Sequence, residues 1–262
     1  MPATPDYDDF QRRIYVSVVS HGHEKHIIET LQPGSWIAET SNVIPLVLSN
    51  LPSLQLRQYC QESGIFYLEN SEPLGFGANN NKAFRHLESK FGMSDQDFFF
   101  TINPDIRTSG RDIEAMARKM EQEGLQIAAP NLVSHDNVPE DNIRSYPSLV
   151  DCILRFALKS ERSCARKAEI QSTQKVDWAA GAFLGFSINA YRAVDGFDER
   201  YFMYYEDADI CRRASQQGIG TYYLPSICAT HLAARDSRKL FSRQLVWHIT
   251  SALRFTLARS SG

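Results

Sequence analysis

The sequence predicts an α/β fold built on a mostly parallel sheet with helices on both faces. Two observations carry that expectation. Short β-branched or aromatic runs alternate with helix-length amphipathic runs from residue 14 to residue 133. Several of those apolar runs end in a short polar turn, which places the turns at the carboxyl edge of the sheet, where α/β proteins bind ligands. The chain of 262 residues, 43% hydrophobic and 23% charged, has ordinary globular composition and is long enough for one large domain of this kind.

Ile14 to Val19 reads as a buried first strand, closed by the turn Ser20-His21-Gly22-His23, with a helix expected over Glu24 to Leu31. His21 and His23 sit at the sheet edge, where a loop histidine is more often a surface group than a ligand. Val43 to Leu48 reads as the second strand, ending at Ser49-Asn50, and Pro52 is expected to start a helix running to about Ser63. Ile65 to Leu68 reads as the third strand. After it, Gly75-Phe76-Gly77-Ala78-Asn79-Asn80-Asn81 places two glycines and three asparagines at a helix start. The glycines allow close backbone approach to a ligand, and the amides supply donors and acceptors for a phosphate or sugar. This is not a dinucleotide fingerprint, because a third glycine is missing and the stretch follows the third strand, not the first. A turn with an asparagine cap accounts for one Asn, less easily for three.

Asp97 to Ile102 reads as a nearly all-apolar fourth strand that delivers Asn103-Pro104-Asp105 to the same edge. Such a turn suits a divalent cation, Mg²⁺ or Mn²⁺, which takes one or two carboxylates and completes its shell with phosphate and water. Taken alone, Asn-Pro-Asp is more often a plain turn. A helix over Arg111 to Glu123 and a strand over Ile127 to Val133 complete the alternation. Residues 134–148 read as a polar loop, and Leu149 to Lys167 as a basic amphipathic helix. Val176 to Phe186 sets small residues beside Trp178, then enters a strand. Gly181 leaves room for substrate, and the Trp178 ring offers a sugar a flat face or fills the core.

Five carboxylates and five aromatics crowd into the stretch from Gly196 to Asp209. A helical pattern follows and stops at Gly218. Glu206, Asp207 and Asp209 therefore fall in a first helical turn, where acids complement the helix dipole. The aromatic wall before them, Tyr204 included, would exclude water around a carboxylate fit to act as a general base. Thr221 to Leu224 reads as a short strand leading through Pro225 to His231, a ligand candidate only beside a metal. Arg235 to Arg259 reads as one long helix, the second basic amphipathic segment, and two such segments suggest a surface that meets anionic lipid.

A net charge of −3 gives no reason to expect nucleic acid. Five scattered cysteines without ligand spacing fit reduced thiols in a cytoplasm. No apolar run has the length of a membrane span, and the acidic N-terminus is not a signal peptide.

These stretches, in this order, resemble the family 2 inverting glycosyltransferases of the GT-A fold, and among them the bacterial rhamnosyltransferases of lipopolysaccharide O-antigen synthesis. The resemblance rests on Val18 to Glu24, Gly75 to Asn81, Ile102 to Ile106, Asp177 to Gly181, Gly196-Phe197-Asp198 with Tyr201 to Tyr204, and Glu206-Asp207, and spans residues 14 to 259. It implies a GT-A domain over 14–234, with a nucleotide-binding half at 14–133 and an acceptor half at 134–234. A tail (1–13) precedes it and the basic helix (235–262) follows. By the same resemblance Asp105 and His231 bind the metal, Asp207 is the catalytic base and Glu206 orients it or the acceptor. Ser20, His21, Gly22, Ser49, Asn50, Gly75, Gly77, Asn80, Asn81 and Asn103 line the nucleotide, while Trp178, Gly181 and Tyr204 face acceptor or sugar. The implied partners are dTDP-L-rhamnose and an undecaprenyl-diphosphate-linked saccharide at the inner face of the plasma membrane. The departures are Ser49, where the family usually has Asp, and Asn103 for the first acid of Asp-X-Asp. A UDP- or GDP-sugar donor, or a catalytically weak sugar-nucleotide-binding protein, are the alternatives. A nucleotidyltransferase would need a basic phosphate loop after the first strand, which Ser20 to His23 is not.

Overall fold

The computed structural model describes residues 10–146, 167–232 and 243–258. Strand β1 (Ile14–Ser20) lies between β2 (Val43–Ser49) and β4 (Phe98–Ile102), parallel to both, and β3 (Phe66–Glu69) pairs parallel with β2 on its outer side. β5 is Ile106–Arg107, β6 Ile127–Val133, β7 Ile143–Arg144, β8 Gln174–Val176, β9 Trp178–Ala179, β10 Phe183–Ser187 and β11 Thr221–His231. The main sheet runs β3-β2-β1-β4-β10-β6-β11-β5, with β8 also on β11, and β7 pairs with β9 in a separate ribbon.

The helices are α1 (Pro33–Glu39), α2 (Leu54–Glu62), α3 (Phe76–Phe91), α4 (Gly110–Gln122), α5 (Ile188–Ala193), α6 (Glu206–Gln216) and α7 (Arg243–Ala258). β1 shows why the sheet needs cover on both faces. Ile14, Val16 and Val18 pack with Trp36, Phe100 and Met116 on one side, while Tyr15 packs with Phe84, Phe99 and Phe186 on the other.

Two expectations need correcting, and two elements carry features the sequence does not show. The helix expected over Glu24 to Leu31 is present, its His26–Leu31 part wound as a π-helix, and a further helix, α1, follows with Pro33 in its first turn. Pro52 does not open α2; Ser53 caps it, its Oγ accepting the Leu56 N–H at 3.3 Å. β11 does not stop at Leu224. It continues to His231 because Pro225, which has no N–H to donate, falls within a register shift between Leu224 and Cys228 where no ladder bond is required. Finally, β10 runs antiparallel between β4 and β6, since the chain returns to the sheet from its opposite end.

Of the two basic segments, residues 147–166 and 233–242 lie outside the described residues. Lys167 is described and is no surface cation. It is buried, donating to Leu132 O (3.1 Å), Glu140 O (2.7 Å) and Asn142 Oδ1 (2.6 Å), and burial pushes its pKa down to about 8.

Candidate active site

The site is assembled at the carboxyl edge of β1, β2 and β4, where α3 and α6 both start. Helix α6 is entered through Tyr204 and Tyr205, two consecutive non-glycine residues with φ of 71° and 66°. Left-handed backbone is unfavourable for a tyrosine and persists only where packing over-determines it. Here α7 supplies the packing. Its His248 ring lies 5.2 Å from Tyr204 and 5.4 Å from Tyr205, Phe255 lies 5.5 Å from Tyr205, and the Ser251 hydroxyl donates to Met203 O at 2.9 Å.

The three acids of the first α6 turn have different environments. Asp209 is buried and paired with Arg212 (3.1 Å) and Arg213 (2.7 Å), and Arg213 ties it to the Val194 and Gly196 carbonyls, so Asp209 anchors the helix. Glu206 is also buried, and its Oε2 has no partner. Burial, and then the Asp207 charge, push its pKa well above the usual carboxylate range. Asp207 is half-buried. Its Oδ2 accepts the Gly181 N–H at 3.0 Å and its Oδ1 the Ala208 N–H at 2.8 Å. Burial raises its pKa against those two donors.

Gly181 connects this carboxylate to the acidic turn. The next residue, Ala182, accepts the Asn103 N–H at 2.9 Å. Two consecutive residues therefore hold Asp207 with one peptide group and the Asn103-Pro104-Asp105 turn with the other. A Cβ on Gly181 would lie 3.3 Å from the Phe76 ring and 3.5 Å from Asp207 Cβ, so the position has little room for a side chain.

Asp105 and His231 meet because β11 and β5 pair antiparallel in the register His231↔Ile106, with the Leu232 N–H donating to Asp105 O at 2.8 Å. His231 Nε2 stands 3.2 Å from Asp105 Oδ2. Its Nδ1 stands 2.6 Å from Oε2 of Glu140, a residue the sequence presents only as part of a polar loop. Burial works to raise the Asp105 pKa, but the His231 contact outweighs it and holds it below its ordinary value. Burial works to lower that of His231, and the two carboxylates reverse it. A carboxylate oxygen and an imidazole nitrogen converging at a sheet edge are hard-to-borderline donors that fit Mg²⁺ or Mn²⁺ completed by phosphate oxygens. Among the described residues no group of three or more His, Cys, Asp or Glu side chains is arranged to enclose a metal by itself.

The remaining nucleotide candidates take part in the fold's own bonding. Ser20 Oγ accepts the His23 N–H at 3.2 Å, while His21 is exposed with its Nδ1 3.1 Å from Asn50 Nδ2, and Gly22 turns the chain with φ 77°. Burial lowers the His23 pKa. Ser49 is fully buried and donates to Leu51 O at 2.5 Å. Asn50, Asn70 and Asn79 form a buried amide chain, with Asn70 donating to both others (2.8 and 2.6 Å). Asn80 accepts from Ser17 Oγ (2.8 Å) and donates to Phe76 O (3.0 Å). Asn81 accepts from Tyr191 OH and the Phe197 N–H and donates to Phe197 O and Glu199. None of the three asparagines caps α3; Gly75 does.

The glycines likewise admit chain. A Cβ on Gly75 would lie 2.5 Å from Phe202 O, and one on Gly77 2.7 Å from Phe197 Cβ. Trp178 is buried, donates to Ser145 O at 3.1 Å, and has the Arg144 guanidinium 5.4 Å from its ring centre. Its flat face is thus occupied within the protein.

A parallel sheet with an inserted antiparallel strand, an acidic turn after β4 and a carboxylate pair opening a later helix define a glycosyltransferase of the GT-A class. The solved structure of the mannosyltransferase PcManGT from Pyrobaculum calidifontis, in complex with GDP-Man and Mn²⁺, superposes with a TM-score of 0.59 at 12% identity, covering 94% of this chain and 65% of that one. GalNAc-T7 with UDP, GalNAc and Mn²⁺ superposes with 0.65 at 11% identity, covering 94% and 48%. The family model for Glycosyl transferase family 2 matches residues 53–183. Rhamnosyltransferase WbbL of Escherichia coli (strain K12) is 34% identical over 249 residues, 94% of this chain and 93% of its own length. The N-acetylglucosaminyl-diphospho-decaprenol L-rhamnosyltransferase of Mycobacterium tuberculosis (strain H37Rv) is 27% identical over 72% of this chain and 66% of its own. The chain belongs to glycosyltransferase family 2, and it is an enzyme of that family.

Proposed function

We propose that this chain transfers L-rhamnose from dTDP-L-rhamnose to a lipid-linked saccharide with inversion at the anomeric carbon, and that Asp207 is the base. The observation that carries the reading is the fixed link from Asp207 through Gly181-Ala182 to the Asn103-Pro104-Asp105 turn. It ties Asp207, as the base in this reading, and the Asn103-Pro104-Asp105 turn, as the diphosphate holder, to consecutive residues, which supports the alignment an in-line displacement needs.

Asp207 takes the proton of the acceptor hydroxyl at its carboxylate, oriented by the Gly181 and Ala208 N–H groups. Glu206, buried beside it and with an unpartnered oxygen, orients the acceptor or the base. Asp105 and His231 would hold a divalent cation, Mg²⁺ or Mn²⁺, which when bound neutralises charge on the departing diphosphate. The rhamnosyl choice is supported by the names of the two bacterial relatives. Replacing Asp207 by Asn should lower transfer by about 10²- to 10⁴-fold while leaving dTDP binding intact. Transfer at the wild-type rate by that variant would remove Asp207 as the base. Transfer of another sugar from a UDP- or GDP-donor in preference to rhamnose would keep the enzyme and replace the donor.

One observation favours a second reading. The buried Ser49 hydroxyl is turned onto its own chain, not toward a nucleotide. Its use there supports weaker or differently selected nucleotide binding than the family's aspartate gives.

The acceptor lipid places the enzyme at the cytoplasmic face of a membrane in this reading. Helix α7 supports it. Val246, Ile249, Leu253 and Leu257 recur along one face and are 60, 41, 52 and 65% exposed, and residues 243–258 contain Arg243 and Arg254 but no carboxylate. No helix among the described residues is long and apolar enough to cross a membrane.

A further inference from the structure

We infer that Glu140 is a positioning residue for the metal centre. By accepting the Nδ1 proton of His231 it fixes the imidazole tautomer and aims the Nε2 lone pair at the cation shared with Asp105. The inference rests on the reading of Asp105 and His231 as cation ligands.

Three observations carry it. The first is the geometry at the ring. Glu140 Oε2 is 2.6 Å from Nδ1 and Asp105 Oδ2 is 3.2 Å from Nε2, so the two carboxylates address opposite edges of one imidazole. A cation on the Nε2 and Asp105 side lies across the ring from Glu140, which excludes Glu140 as a ligand to that ion. A neutral imidazole carries one N–H, and a carboxylate on Nδ1 selects the tautomer in which Nε2 is free to coordinate. Metal-bound histidines commonly donate their other N–H to such a group, which orients the ring and makes the ligand more basic.

The second observation is how firmly the carboxylate is delivered. Residues 134–142 fold back along β6. The Ser134 N–H and Val138 O pair at 2.8 Å, Val133 bridges Pro139, and the Glu140 N–H donates to Leu132 O at 2.9 Å. The loop is then held from below. The Lys167 ammonium donates to Leu132 O, Glu140 O and Asn142 Oδ1, and Asn142 Nδ2 donates to Pro130 O at 3.0 Å. A buried lysine that bonds the Glu140 carbonyl together with Leu132 O and Asn142 Oδ1 is a large desolvation cost for a loop with no task. The third observation is continuity with the base. The Asn142 carbonyl accepts the Ala180 N–H at 2.8 Å, one residue before the Gly181 N–H that holds Asp207. The loop that places Glu140 is therefore connected to the framework that aligns both halves of the reaction.

The test is Mn²⁺ binding to the full chain in the presence of saturating dTDP, followed by electron paramagnetic resonance of the free ion and by calorimetry. Wild type is compared with Glu140→Ala, Glu140→Gln, Glu140→Asp, Asp105→Asn and His231→Ala. Glu140→Ala should weaken Mn²⁺ by about 10- to 100-fold. Glu140→Gln, which keeps an acceptor but loses the charge, should fall in between, and Glu140→Asp should recover part of the loss. Long-range ¹⁵N correlation spectra of His231 in the metal-free protein, recorded at a pH where the ring is neutral, should show the Nδ1–H tautomer in wild type and a shift toward the Nε2–H tautomer, whose proton Asp105 accepts, in Glu140→Ala. That signature does not move if the residue only braces the loop. Should Glu140→Ala fail to fold, the Gln variant carries the same comparison. Wild-type Mn²⁺ affinity in all three Glu140 variants, with binding lost in Asp105→Asn, would overturn the role of Glu140 and leave the metal site standing. Undiminished binding in Asp105→Asn and His231→Ala would overturn the metal reading itself.

Discussion

Three carboxylates within four positions of α6 look alike in the sequence, and their surroundings separate them. Asp209 is neutralised by two arginines, Asp207 is held by two backbone N–H groups, and Glu206 is buried with an oxygen unpartnered. Asp209 therefore serves the helix's own anchoring, and Asp207 is the acid of this run proposed as the base. Glu206 also has a measurable consequence for stability. Its folded-state pKa is raised above the unfolded value, by burial first and by the Asp207 charge second. Below the unfolded pKa of about 4.3 the group is protonated in both states and its stability contribution is fully present. As the pH rises through the folded value that contribution is lost, because the folded state holds the proton more tightly than the unfolded one. Glu206→Gln cannot ionise, so its melting temperature should gain on wild type from about pH 4 upward. Parallel melting curves for the two proteins across that range would contradict a raised pKa.

At the scale of elements, the Gly75 to Asn81 stretch shows how a ligand-like motif serves packing. The glycines were expected to let backbone approach a ligand, and what approaches them is the 197–202 segment: the Phe76 N–H donates to Phe202 O at 3.0 Å, and Asn81 joins Tyr191, Phe197 and Glu199. The start of α3 and the entry to α6 are thereby one unit, and α7 clamps that unit from outside through Trp247, His248 and Phe255. Gly75 has ordinary extended backbone, so its requirement is one of contact alone. Gly75→Ala should destabilise the protein by about 1–3 kcal/mol and lower activity by shifting Phe202 and the tyrosines beyond it. A chemical-denaturation midpoint equal to wild type would show that the loop yields without cost. The amide partners were not legible because an asparagine's pattern is the same whether it bonds a nucleotide or a loop more than a hundred residues away.

For the molecule as a whole, the half from β1 to β6 was largely legible. Its strand–helix periods are local properties, and β6 was expected with the bounds it has. The later half was not, since β10 enters antiparallel, β11 passes through a proline and Glu140 acts from a loop without a pattern. The whole-molecule prediction concerns the outer face of α7. If that face meets lipid, the full chain should float with vesicles containing anionic phospholipid at low salt, and Leu253→Asp with Leu257→Asp should abolish flotation while leaving the fold intact, because both residues are more than half exposed. Absence of wild-type flotation at low salt would remove the membrane from the reading.

The sequence by itself determined the α/β class, the order of the β1–β6 half, the chemical character of the Asn103-Pro104-Asp105 turn and Glu206-Asp207, and the family. Each depends on residue type, periodicity or short spacing. Only the tertiary structure decided which polar groups meet. The pairing of β11 with β5 brings His231 to Asp105, Lys167 fixes the loop that brings Glu140 to His231, and Gly181-Ala182 joins Asp207 to the acidic turn. The physical reason is that such contacts join residues tens to more than a hundred positions apart. Strand register and buried hydrogen bonds set them, and neither leaves a local pattern in the chain.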